Sequence, residues 1–145
     1  MTPVGSRKDP YLATHFFVEI DGIDQGGFSD CSGLGAKTDV FEYEEGGLND
    51  HKHKLPGRTS YTNVTLKWGV TDSNALWEWY QKVIQGKFER KDVSIVQYSP
   101  DQTEIRRWNL REAYPVRWAG PTFSAGNAAV SIETLELAHH GFEVQ

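Results

Sequence analysis

Between Asn63 and Tyr98 the hydrophobic period changes twice, and no other stretch constrains the fold as tightly. Over Val64 to Val70 the side chains alternate: Val64, Leu66, Trp68 and Val70 fall on one face, and Thr65, Lys67 and Gly69 on the other. That is the period of a half-buried strand. Trp79, Tyr80, Val83 and Ile84 then follow Leu76 by three, four, seven and eight residues, which predicts a helix whose core face is broad and aromatic. Asp72 or Ser73 stands where an N-cap is needed, and Lys82 lies in the last turn, where the helix dipole favours a cation. Gly86 supplies the left-handed stop, and Val93 to Tyr98 returns as a strand. The helix, with Leu76, Trp79, Tyr80, Val83 and Ile84 inward, is expected to cover a sheet.

The flanks of this unit are read in order. Residues 1–10 carry three Gly or Pro residues and no apolar run, the pattern of a flexible N-terminal arm. Phe16 to Ile20 is a strand closed by Asp21-Gly22, and Phe28 to Gly35 a bent strand or wide connection. Ala36 to Glu45 is the longest strand candidate, with Thr38, Val40, Glu42 and Glu44 on one face and Lys37, Asp39, Phe41 and Tyr43 on the other. Gly46 to Ser60 holds three glycines, Pro56 and almost nothing apolar, which predicts a loop long enough to need a function. Glu104 to Trp118 is one long bent strand or a tight pair joined at Glu112-Ala113, with Tyr114, Val116 and Trp118 sharing a face. Ala129 to His139 is a final strand whose apolar phase shifts, as a bulge or two-sided burial would cause. Six or seven mainly antiparallel strands and one flanking helix in 145 residues predict a single mainly β domain, a sandwich or small barrel.

Fifteen basic residues against twenty acidic ones give a net charge of -5 with no basic cluster, which argues against a DNA-reading surface. One cysteine excludes an intrachain disulfide, and the polar start predicts cytoplasmic synthesis with no signal peptide and no membrane anchor. Catalytic, metal and cofactor residues are all read as none. Gly35-Ala36-Lys37-Thr38 imitates the end of a phosphate-binding loop, but Cys31 and Ala36 replace its two glycines. His51 and His53 alternate with Lys52 and Lys54, whose charges would repel a metal ion, and His139 and His140 point to opposite faces of a strand. Cys31 lies among Ser29, Asp30 and Ser32, with no base to activate it. Five tryptophans serve core and interface, the alternative being a ring-stacking ligand site.

One ordered set of segments goes further. Asp9-Pro10-Tyr11, Phe17-Val18-Glu19-Ile20-Asp21-Gly22, Phe28-Ser29, Ser32-Gly33-Leu34, Glu42-Tyr43, Glu45-Gly46-Gly47, Leu55-Pro56-Gly57, Val64-Thr65-Leu66-Lys67, Trp77-Glu78-Trp79 and the run from Ile132 to His139 together resemble the tail-tube family. That family forms the inner tube of contractile phage tails and related contractile injection systems. The resemblance implies a structural, non-enzymatic subunit in hexameric rings that stack into a tube inside a contractile sheath. Its partners would be further copies of itself, sheath subunits, baseplate and tail-terminator proteins, and a lumenal cargo, either protein effector or DNA. The alternatives are a tube-initiating baseplate paralogue of the same fold and, in a different class, a small-ligand-binding β-barrel.

In such a tube the loop 46–60 is expected to reach the next ring, through Gly46, Gly47, Leu48, Asn49, Asp50, His51, Lys52, His53, Lys54 and Leu55. Thr38, Glu42, Glu44, Thr65 and Lys67 are expected to face the lumen, because Phe41, Tyr43, Leu66 and Trp68 opposite them should enter the core. Two carboxylates per ammonium would make that wall acidic.

Overall fold

The computed structural model describes residues 10–43, 53–87 and 89–145. Its elements are β1 (Phe16–Ile20), β2 (Phe28–Ser32), β3 (Ala36–Tyr43), β4 (His53–Tyr61), β5 (Val64–Gly69), α1 (Ala75–Ile84), β6 (Lys91–Tyr98), β7 (Glu104–Ala119), β8 (Ile132–Ala138) and β9 (Phe142–Val144). The strand pairings are antiparallel. More strands form than the sequence predicts, because β4 occupies much of the expected loop and β9 follows the expected last strand.

The sixteen residues of β7 are one strand, not a tight pair, and they serve two sheets. The order is β1-β6-β7-β8-β5-β2, with β9 on the other edge of β7. The first half of β7 pairs with β6 and β9, the second half with β8. Two extra residues make the bend. As β6 steps from Lys91 to Val93, its partners on β7 step from Ala113 to Leu110. Glu112 there takes a φ of 51°, a left-handed conformation that a non-glycine residue adopts at a cost. Asp92 Oδ1 accepts its N–H. A second irregularity falls between Pro115 and Arg117 against β8. It turns Val116 outward and puts Pro115 into the interior, so Tyr114, Val116 and Trp118 do not share a face as the alternation predicts. A proline is tolerated at a bulge because no ladder hydrogen bond is required of it there.

The bend folds the two sheets over one core. Ile20, Val93, Ile95 and Leu110 come from one side and Val64, Leu66, Trp68, Leu135 and Leu137 from the other, with Ala113 at the turn between them. The alternation of β5 is therefore as expected, except that Val70 lies beyond the strand and is exposed. The phase shift near the C-terminus comes with no bulge on the strand itself, and neither face of the strand is exposed, as two-sided burial predicts. The strand begins only at Ile132, leaving Val130 outside it, and β8 pairs with β5 without a break.

Helix α1 packs on β7 and sends Leu76 and Trp79 into the core, with Tyr80 packed against it. Val83 is half-buried, and Ile84 is 63% exposed, so the buried stripe is narrower than the periodicity predicts. Ile84 sits in the last turn, where the chain already leaves the sheet. Lys87 N–H bonds Lys82 O at 2.8 Å and Gly86 N–H bonds Val83 O at 3.0 Å, a Schellman ending with Gly86 at φ 78°. The helix begins after Asn74 rather than at Asp72 or Ser73, and Ser73 Oγ accepts the Ala75 N–H.

Trp79 Nε1 donates to Glu89 O at 2.8 Å, satisfying the one polar atom that this side chain carries inward. The Glu89 carboxylate bonds Lys82 at 2.8 Å and Lys91 at 3.3 Å, tying the helix end to β6. Lys82 first and Lys91 second hold this carboxyl below its ordinary range. Trp79→Ala should cost about 3–5 kcal/mol through lost burial and the cavity left behind, and chemical denaturation of the purified protein measures it. A change under about 1 kcal/mol would show that the helix does not close the core.

Candidate functional site

Strands β3 and β4 form a separate two-stranded ribbon. Pairing runs from Ala36 opposite Tyr61 to Tyr43 opposite His53, with one irregularity between Thr38 and Val40 where β4 carries the extra residue. Gly57 allows it, since a Cβ there would lie 3.1 Å from Asp39 O. Because the extra residue is on β4, the faces of β3 keep their alternation. Thr38, Val40 and Glu42 share one face, where Thr38 Oγ1 and Thr59 Oγ1 are 2.9 Å apart and Glu42 stands opposite Lys54. Phe41 and Tyr43 share the other face with their partners Leu55 and His53. The rings of Phe41 and Tyr43 stack with centroids 6.4 Å apart, and those of Tyr43 and His53 at 5.2 Å.

Here the structure corrects two expectations. His53, Lys54 and Leu55 belong to a strand and not to a loop, while Gly46 to Lys52 and Glu44 lie outside the described residues. Phe41 and Tyr43 do not enter the core: Phe41 is 59% exposed, Leu55 47% and Tyr43 38%. The alternation is as read, but what it points at is solvent. A two-stranded ribbon without a covering layer is at best marginally stable in water, so an apolar stripe on one asks for a partner surface.

The outer face of the second sheet is polar. Thr65 and Lys67 point away from the core, since Val64, Leu66 and Trp68 between them are buried. By register Asp30 is beside Lys67, and Thr65 beside Glu136, whose other neighbour is Arg117. Asn63 Nδ2 donates to Glu136 Oε2 at 2.9 Å. Carboxylates and cations therefore alternate across this face, and Glu42 stands beside Lys54 on the ribbon. The described residues do not form the acidic wall that counting Glu42, Glu44 and Lys67 alone predicts.

The remaining candidates are structural. Trp68 and Trp79 are in the core, Trp77 and Trp118 lie 4.7 Å apart by centroid, and Trp108 packs against the core, so the tryptophans form no open stacking platform. Cys31 lines an apolar cavity of about 150 Å³ with Phe16, Leu34, Ile95 and Trp108, below the roughly 300–1,000 Å³ of ligand pockets. Arg107 links Glu19 of β1 at 2.8 Å and Glu104 at 2.7 Å. The guanidinium hydrogen bond holds the Glu104 carboxyl below its ordinary range. Among the described residues no three His, Cys, Asp or Glu side chains converge as metal ligands, and no helix is long and apolar enough to cross a membrane.

Sequence reasoning missed β4 because Pro56 and Gly57 interrupt it and neither face is buried, which removes the period-2 signal. The available clue was β3 itself, whose aromatic face needed a cross-strand partner.

The family described as T4-like virus tail tube protein gp19 matches residues 12–143. The chain belongs to this tail tube family. Solved structures agree with the assignment. The tail tube protein is similar to a chain of the extended sheath-tube complex of PVC, an extracellular contractile injection system, with a TM-score of 0.86, 26% identity, and 100% of this chain and 99% of that one covered. It is similar to a chain in the tube-terminating cap of the anti-feeding prophage, at 0.86 and 28% identity over 97% and 93%. A chain of the six-fold symmetrised baseplate of that prophage is similar at 0.84 and 25% identity over 96% and 97%. No curated protein matches this tail tube protein in sequence.

Burial pushes the Cys31 thiol up to about 11. At about pH 8 the thiol of this tail tube protein should therefore react with Ellman's reagent far more slowly than in denaturant, where an ordinary thiol titrates near 8.5. Equal rates in the two conditions would contradict this placement.

Proposed function

We propose that this tail tube protein is a non-enzymatic structural subunit of a contractile injection system, folded as one domain over residues 1–145 and made in the cytoplasm. It closes into hexameric rings that stack into a tube, within a contractile sheath and between a baseplate and a terminator. The observation that carries this is the ribbon, on whose aromatic face Phe41, Tyr43 and Leu55 are exposed. A neighbouring copy supplies the cover. Similarity to a sheath-tube complex supports the sheath as the outer partner, and similarity to a six-fold symmetrised baseplate supports the ring order. The baseplate similarity also favours the second reading, a tube-initiating paralogue of the same fold.

The ribbon reaches the next ring. Thr38, Glu42, Thr65 and Lys67 line the lumen, because the faces opposite are taken by the aromatic stripe and by the core. A lining of alternating charge holds neither polyanions nor polycations strongly, which suits passage of a protein effector or DNA.

Phe41→Ser with Tyr43→Ser should leave stability within about 0.5 kcal/mol, since both side chains are exposed in the monomer. Assembly should lose about 2 kcal/mol or more at each contact, the worth of a buried aromatic anchor, so negative-stain images should show no long tubes. Tubes of wild-type length would refute the role of the ribbon. Single cysteines at Glu42 and Lys67, in a Cys31→Ser background, test the lumen: end-blocked tubes should resist a bulky maleimide added outside, and ready labelling would place these residues on the exterior.

A further inference from the structure

Neighbouring antiparallel strands need only about two to five residues to connect them, yet β7 and β8 are joined by the whole of residues 120–131. The excess folds over the outer face of β5. The Val70 N–H donates to Ser131 O at 2.9 Å, and a Cβ on Gly69 would lie 3.7 Å from Val130 Cγ1. Within the loop the Asn127 N–H donates to Ser124 O at 3.2 Å, closing a turn. Between loop and sheet is an open cavity of about 580 Å³, inside the roughly 300–1,000 Å³ of ligand pockets. Of the described residues that line it, Lys67 alone is charged. Its Nζ enters none of the ion pairs among the described residues, although Asp30 is beside it by register. The hydroxyls of Thr122, Ser124 and Thr134 and the Asn127 amide also line the cavity and bond no described residue. Phe123, 82% exposed, and Val130, 75% exposed, make its apolar wall.

We propose that this cavity binds an acidic residue of an extended polypeptide segment, with the carboxylate on Lys67 and an adjoining apolar side chain against Phe123 and Val130. The ammonium carries three donors and has no carboxylate partner among the described residues, so a carboxylate brought to it gains a charge-assisted hydrogen bond without breaking an ion pair. The hydroxyls and the Asn127 amide can both donate and accept, as a peptide backbone requires of its neighbours. An apolar cavity of roughly 150 Å³ holds one benzene, so a space of about 580 Å³ has room for more than one side chain.

A nucleic acid strand fits the same cavity less well. It brings a charge with every nucleotide, whereas the cavity offers one cation, with Asp30 beside it and Glu136 in the next row of the sheet. The source of the peptide segment rests on the reading that this face lines the lumen, which makes it a protein cargo. One exposed ammonium in each subunit binds a carboxylate weakly, so a cargo held at several subunits still lets go of each in turn.

The site is tested on the isolated protein, apart from the lumen reading, by titrating the peptide acetyl-Leu-Glu-Leu-amide and its Gln counterpart while amide NMR shifts are followed. Shifts should concentrate in residues 120–134, and the Glu peptide should bind roughly tenfold more tightly than the Gln peptide, the scale of one charge-assisted hydrogen bond. Lys67→Met should abolish that preference and Lys67→Arg should keep it, while Phe123→Ser should weaken both peptides. Equal binding of the two peptides, a preference that survives Lys67→Met, or tighter binding of a short thymidine oligonucleotide than of the Glu peptide would overturn the proposal. If Lys67→Met does not fold, the Glu to Gln contrast and the place of the shifts in the wild-type protein decide alone. The two readings fail separately: labelling from outside the tube at position 67 would refute the lumen, and with it the cargo as source, whereas loss of the peptide preference would refute the site and leave the lumen standing.

Discussion

The fold depends on the double bend of β7. A straight strand of sixteen residues would belong to one flat sheet and leave half its side chains without a core. Two extra residues, at Glu112 and Val116, rotate the second half so that it pairs with β8 while the first half still pairs with β6 and β9. The strain of a left-handed glutamate is outweighed by what the bend creates, one interior shared by both sheets and capped by Leu76 and Trp79. Bulges serve this purpose in many sheets because they add twist without ending the ladder.

That body is self-sufficient, and the ribbon is not. Its strands pair only with each other, which leaves their outer edges unpaired, the Phe41, Tyr43 and Leu55 side chains stay exposed, and its attachment rests on the close passage of Gly33 and Gly35 against Asn63 and Thr62. A subunit with a finished core and an unfinished arm is suited to assembly. The body has a covered core of its own, whereas a partner surface that buried the aromatic face would add stability to the arm.

Polar groups divide in the same way. Glu89 fastens the helix end to β6, and Arg107 joins β1 to β7. The outer face of β2, β5, β8 and the end of β7 alternates sign instead, through Asp30, Lys67, Glu136 and Arg117. Exposed pairs of this kind add little to stability, so their arrangement matters more for what approaches the face than for folding.

Local periodicity by itself determined the alternation of β5, the helix with Trp79 inward, its Gly86 ending and the mainly antiparallel β class, while the resemblance to tail tubes was carried separately, by short segments spread along the chain. These are legible because each depends on residues a few positions apart. Only the tertiary structure decided that β4 exists, that Phe41 and Tyr43 face solvent, that Val116 is turned outward and that Lys67 has Asp30 beside it. Each of those depends on which strand lies next to which, and on whether a face is covered. A period of two says which side chains share a side. It cannot say whether that side meets a core, a partner or water, because that is settled by chain segments tens of residues away.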